Sequence, residues 1–179
     1  MHKIFLLGLL AVMPLAARAQ DKITPLNVKL GLWEATNTMT TTGAPPIPEE
    51  TLAKMTPEQR ARIEEVIKKR GIGSGTPQTN VYKSCVTREK LDREMAFDDK
   101  HHECTHTVIS SSSSHAEVKL HCDDPNNHVI TDGTVTVDAL SSESAKIVGH
   151  MIASGSGHNM NVDFNITSKY LGPDCGAVK

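Results

Sequence analysis

Aromatic side chains are scarce: the chain holds one Trp, two Tyr and three Phe among 179 residues. Aromatics normally supply the bulkiest pieces of a core and the faces on which bases and sugars stack. Their scarcity excludes an aromatic-lined sugar cleft, a stacking platform for single strands and a haem-sized aromatic pocket. The core is left to Val, Ile, Leu, Met and Ala. A basic excess is also lacking. The net charge of −2 and pI near 6.5 exclude nucleic acid as an expected partner, since its phosphates demand a basic face. No apolar run reaches the ~20 residues of a membrane span; the longest, residues 4–15, is interrupted by Gly8 and Pro14.

Catalytic signatures are missing as well. No Gly-x-Ser-x-Gly elbow sits between a strand and a helix pattern. Gly71-Ile72-Gly73-Ser74-Gly75 lacks the phosphate-loop lysine and follows a helix rather than a strand, so it reads as a linker. The serines at 111–114 and the Ser154-Gly155-Ser156-Gly157 stretch read as turns. No catalytic residue, no cofactor and no enzymatic activity is expected.

What is present begins with an address. His2 and Lys3 start an apolar segment, and Ala17-Arg18-Ala19 supplies a small-x-small cleavage pattern. Residues 1–19 read as a signal peptide cut between Ala19 and Gln20, which leaves residues 20–179 as one β-rich domain without a stable membrane anchor. Cleavage removes Lys3 and Arg18 and no acid, so the net charge moves from −2 to −4. The expected location is the periplasm or the outside of a bacterium.

In an oxidising compartment the four cysteines read as two disulfides. Residues 104–110 and 116–122 flank the Ser-rich turn. A symmetric hairpin there sets Val108 opposite Val118, His106 opposite Leu120 and Cys104 opposite Cys122, all on one face. Cys104–Cys122 with Cys85–Cys175 is the favoured pairing. Cys85–Cys104 with Cys122–Cys175 stays open, because directly opposed cross-strand disulfides are geometrically demanding.

The pattern of two recurs along the chain. Residues 32–42 carry Trp33, Ala35 and Met39 on one face, and residues 79–86 form another strand. Residues 43–77 are a Pro-rich and helical insertion. Within it Pro57 occupies a first helical position behind the Thr56 cap, and Gln59 completes a capping box. Ile63, Val66 and Ile67 form its narrow apolar stripe, and Lys68, Lys69 and Arg70 suit the negative helix end. Residues 87–97 suggest a short second helix. Residues 134–140, 145–153 and 159–170 add three strands, and Met160, Val162, Phe164 and Ile166 alternate with polar residues. A turn at Gly155-Ser156 would pair Met151 with Met160, Gly149 with Val162, Ile147 with Phe164 and His150 with Asn161. The fold class is mainly β (α+β): an antiparallel meander curled into a partial or closed barrel, with the insertion covering one opening through Ile63, Val66 and Ile67.

Gly31-Leu32-Trp33-Glu34, the Met55-Thr56-Pro57-Glu58-Gln59-Arg60 helix start, Cys85-Val86-Thr87 and the ending Leu171-Gly172-Pro173-Asp174-Cys175-Gly176 together resemble the bacterial exported proteins grouped as domain-of-unknown-function family 3617. The resemblance spans the mature chain and implies an envelope location. It implies no activity and no catalytic residue.

Nine histidines raise the question of metal. His101, His102 and His106 stand beside Glu103 and Cys104, and 102–106 spells His-Glu-x-x-His. That motif binds zinc only on a helix. Here Thr105, Thr107, Val108 and Ile109 favour a strand, which sets His102 and His106 ~13 Å apart. His150 and His158 with Met151 and Met160 resemble a copper set, but the alternation sends the methionines inward and His150 outward. Solvated histidines and core methionines are the favoured readings; metal binding is the alternative function. A small apolar ligand such as an acyl chain is the candidate partner. A filled, ligand-free interaction module is the other reading, and the oligomeric state is left open. Intact-mass measurement of protein exported from its own cells should give a chain starting at Gln20; a mass that still contains Met1 to Ala19 overturns the signal reading.

Overall fold

The computed structural model describes residues 23–95 and 103–178. The signal segment, its Ala19–Gln20 junction, His101 and His102 lie outside the described residues. Among the described residues the elements are β1 (Gly31–Gly43), α1 (Glu49–Lys54), α2 (Pro57–Lys69), β2 (Gln78–Val86), α3 (Arg88–Met95), β3 (Glu103–Ser111), β4 (His115–Asp124), β5 (Val129–Ser141), β6 (Ser144–Gly155) and β7 (His158–Gly172).

The strands form one antiparallel sheet in the order β2-β1-β7-β6-β5-β4-β3. β3 to β7 are consecutive hairpins, and β1 returns against β7 with Trp33 opposite Tyr170. β2 and β3 remain as edges, so the sheet is curled without closing. Tyr82 on β2 and Val135 on β5 line the same cavity although three strands lie between them; only strong curvature allows that.

The β3–β4 register is Cys104 with Cys122, His106 with Leu120 and Val108 with Val118, followed by a bulge before Ser110. Disulfides join Cys104 to Cys122 and Cys85 to Cys175. The β6–β7 register differs from the sequence expectation by two residues. Met151 faces Val162, Gly149 faces Phe164, Ile147 faces Ile166 and His150 faces Asp163. The turn is Ser156-Gly157, with φ of 51° and 73°. Tight hairpin turns with the matching twist need positive φ at both central residues, and Gly157 supplies one of them without strain. The shift also seats Phe164 over Gly149, where an added Cβ would lie 2.1 Å from the ring Cζ.

The leader, residues 23–30, lacks periodicity yet contributes to the core. Leu26 is buried in one cluster with Leu91 of α3 and Ala116 of β4, and Ile23, Val28, Val137 and Ala139 pack around them. The Asn27 amide donates to the Ser113 carbonyl (2.7 Å), and the Lys29 amide to the Ser142 carbonyl (2.8 Å). The leader therefore crosses one end of the curled sheet, tied to the β3–β4 and β5–β6 turns. Trp33 locks it there. The indole is 3% exposed, meets Tyr170 edge-on at 5.8 Å and donates from Nε1 to the Lys29 carbonyl at 2.9 Å. Lys29 also bonds Glu143 and lies 5.4 Å above the Tyr170 ring. The Glu143 carboxylate raises the Lys29 pKa above its ordinary 10.5, so the lysine stays charged through neutral pH and its contribution is lost as pH rises through the raised value.

The insertion behaves differently from its expected role. α2 has its capping box, with Thr56 and Gln59 exchanging side-chain and backbone bonds. Ile63, Val66 and Ile67 are not buried, however: α2 has no buried residue, and Val66 is 46% exposed. A 13-residue amphipathic stripe of three residues is too narrow to form a second layer. The loop after α2 is tied to the end of β1 instead, with the Gly73 amide donating to Thr41 Oγ1 and the Gly75 amide to the Thr41 carbonyl, both at 2.8 Å.

Truncating Trp33 removes both its packing and its bond to the leader. Trp33→Ala should cost about 3–5 kcal/mol, and Trp33→Phe distinctly less, in urea unfolding with the disulfides intact. Equal, sub-kcal/mol effects of the two would show that Trp33 is no anchor.

Candidate functional site

Alternation puts Trp33, Ala35, Asn37 and Met39 of β1 on the concave face, level with Ser84, Tyr82, Asn80 and Gln78 of β2. The leader and α3 occupy one end of this face. Behind them lies a cavity of about 280 Å³, near the lower bound of roughly 300–1,000 Å³ for small-molecule pockets. Its wall is Leu26 and Val28 from the leader, Trp33 and Ala35, Leu91, and Val135, Val137, Ile147 and Ile166 from three neighbouring strands. Tyr82, Ser84 and Ser168 add the polar atoms, and no charged residue lines it. The methionines lie elsewhere: Met39 lines a second cavity, and Met151 covers Gly133, where an added Cβ would lie 2.2 Å from its Sδ.

The opposite end of the concave face is less apolar and more open. One cavity of about 600 Å³ runs between Pro46, Ile47, Pro48 and Thr51 of the insertion and the Cys104–Cys122 bridge, Val129 and Thr131. This short Pro-rich segment covers that cavity; of the α2 stripe, only Val66 lines a cavity, the next one. The other cavity, about 840 Å³, lies where α2 ends over β1 and β2. It is lined by Asn37, Met39, Val66, Lys69, Arg70, Ile72, Gln78, Thr79 and Asn80. Asn37 Oδ1 is buried there and accepts no hydrogen bond. An unsatisfied buried acceptor costs about 1–3 kcal/mol, so Asn37 marks a place where the fold leaves a polar requirement unmet.

The histidines distribute as follows. His106 faces the concave side, level with Leu120. His158 sits beside the β6–β7 turn. His150 points outward and bonds Asp163 at 2.6 Å. Among the described residues no group of three or more His, Cys, Asp or Glu is placed to hold a metal ion. Cys104 is bonded to Cys122, and the 102–106 motif enters a strand at Glu103, not the helix that zinc chemistry of this type requires.

Sequence reading missed one constellation. His115 Nδ1 lies 2.7 Å from Asp138 Oδ1, and its Nε2 lies 3.0 Å from Ser110 Oγ. The bulge before Ser110 turns that serine onto the outer face, where His115 and Asp138 stand directly opposed. The contacts reproduce the connectivity of a Ser–His–Asp relay. Two further His–Asp pairs on the same face, His121–Asp132 at 2.7 Å and His150–Asp163, repeat the motif as plain cross-strand ties. Ser110 lines none of the three cavities described above. The leader and α3 contributions to the apolar cavity were also missed, because neither shows periodicity. Asn37 had a signal: it is the polar break in the Trp33, Ala35, Met39 face.

A family model described as "Protein of unknown function (DUF3617)" matches residues 28–175. No curated protein and no solved structure matches the chain. The match runs from the leader to the last cysteine and takes in every strand of the sheet, so the chain belongs to the DUF3617 family of proteins of unknown function.

Proposed function

We propose that this chain is an exported bacterial protein that holds a small apolar ligand, with an acyl chain as the fitting class, in the cavity behind Trp33, without transforming it. The observation that carries this reading is the cavity wall: eleven aliphatic or indole side chains, three hydroxyl residues and no charge around about 280 Å³. Burial of apolar surface at roughly 25 cal/mol per Å² drives such binding, and a few hydroxyls orient it. Export is supported by the signal pattern of residues 1–19 and by four cysteines joined in two disulfides, which a reducing cytosol disfavours.

Native mass spectrometry of the protein from its own cells should reveal a bound lipid-like mass, and the emptied protein should take up decan-1-ol. Ala145→Leu, which adds bulk to the cavity wall, should fold and lose most of this uptake. A protein that carries nothing and takes up no decanol is instead a filled interaction module.

The Ser110–His115–Asp138 contacts favour a second reading, acyl transfer to a nucleophilic serine. A neutral His115 with its proton on Nδ1 donates to Asp138 and accepts from Ser110 Oγ. A fluorophosphonate then labels Ser110, with fluoride leaving and the serine proton passing to His115 Nε2, and His115→Gln abolishes labelling. Labelling no greater than that of Ser110→Ala removes this reading.

A further inference from the structure

The apolar cavity and the polar cavity share the strands β1 and β2 and meet one residue pair apart. Ala35 and Tyr82 stand opposite each other and line the apolar space; Asn37 and Asn80, the next inward pair, line the polar one. Along a strand these rows are about 6.8 Å apart. A molecule that fills the first space and extends by a few bonds enters the second.

The polar space has a definite chemistry. Lys69 and Arg70 reach its wall from the end of α2, and no carboxylate lines it. Neither cation has an ion-pair partner among the described residues. Lys68, Lys69 and Arg70 all suit the negative end of the α2 dipole, but only Lys69 and Arg70 line the cavity. They do so in a chain whose net charge is negative. Asn37 adds a buried carbonyl oxygen with no donor. Two unpaired cations and one unmet acceptor together call for a group carrying an anion and an O–H or N–H.

We propose that the ligand is an amphiphile with an anionic, hydrogen-bond-donating headgroup, its apolar chain in the cavity behind Trp33 and its headgroup between Asn37, Lys69 and Arg70. This rests on the apolar-ligand reading above and specifies its class. α2 then acts through its cationic end as a headgroup clamp, which accounts for a helix that leaves Ile63, Val66 and Ile67 unburied. The loop that follows it, pinned to Thr41, holds that end over the cavity.

The test compares 3-hydroxydecanoate with decane-1,3-diol, which keeps the chain and hydroxyl but lacks the charge, by calorimetric titration of the full disulfide-bonded protein. Two exposed ion contacts should give the acid roughly tenfold tighter binding at low salt, and this preference should shrink at 1 M salt. The double variant Lys69→Gln/Arg70→Gln, altered only at exposed side chains, should stay folded with at most a small drop in its unfolding midpoint, bind the diol as before and lose the preference. Equal binding of acid and diol, or a preference that survives in the double variant, overturns the headgroup site while leaving the apolar reading intact. Binding of neither compound by folded protein overturns both. Ala145→Leu should weaken acid and diol alike; weakening of the acid alone would also overturn the proposed placement of the chain.

Discussion

A sheet that curls without closing must have its concave side filled by something other than a facing layer. Here that constraint is severe, because few large side chains are available. The leader meets it. Leu26 enters the core from a segment that is neither helix nor strand, and Trp33 holds that segment through the Lys29 carbonyl and the Tyr170 ring. Leu91 of α3 completes the plug from the connection between the two edge strands. The rest of the architecture follows from this arrangement. One end of the concave face is apolar and partly closed, the other is left to the insertion and is less apolar and more open, and the fill stops short of the space that becomes the cavity.

The disulfides act where the sheet is weakest. Edge strands lack a neighbour on one side, and each bridge involves an edge. Cys104–Cys122 joins β3 to β4, and Cys85–Cys175 ties the end of β2 to the segment after β7. Their sequence separations are 18 and 90. Loop-closure entropy assigns roughly 3 kcal/mol to the shorter and 4–5 kcal/mol to the longer. For a sheet with a light core these contributions are comparable to a whole domain's net stability of about 5–15 kcal/mol.

Local chemistry was legible in the sequence wherever it was repeated or capped. The alternation of Met160, Val162, Phe164 and Ile166 located β7; Thr56, Pro57 and Gln59 located the start of α2; and the matched apolar pairs around the Ser turn gave the β3–β4 register. What depended on distant contact was not legible. Leu26 has no periodic neighbours to announce it. The α2 stripe resembled a buried face because Ile63, Val66 and Ile67 have helical spacing, yet spacing says nothing about whether a surface is there to receive it. Of the candidate site, the aliphatic character of the interior could be read, whereas the meeting of Asn37 with Lys69 and Arg70 required the insertion to fold back on β1. Ser110 reached His115 only through a bulge, which breaks the very alternation used to place side chains.

The two-residue error in β6–β7 register shows what decides between pairings that the hydrophobic pattern treats as equal. A shift of two keeps every side chain on its face, so alternation alone cannot separate Met151–Met160 from Met151–Val162. Two other features do. On the concave side, large must meet small: Phe164 needs Gly149, and Met151 needs Gly133. On the convex side, hydrogen-bonding partners must meet: His150 finds Asp163 instead of Asn161, His115 finds Asp138, His121 finds Asp132, and Glu34 finds Lys169 at 2.8 Å. The Lys169 contact holds the Glu34 carboxyl below its ordinary 4.5, so that tie is present above 4.5 and fades as pH falls through the lowered value. Each such exposed tie is weak. Set at directly opposed positions on successive strands, they act together against a common slip. The glycine vacancies do the same from the other face, and neither device adds bulk to the cavity behind Trp33.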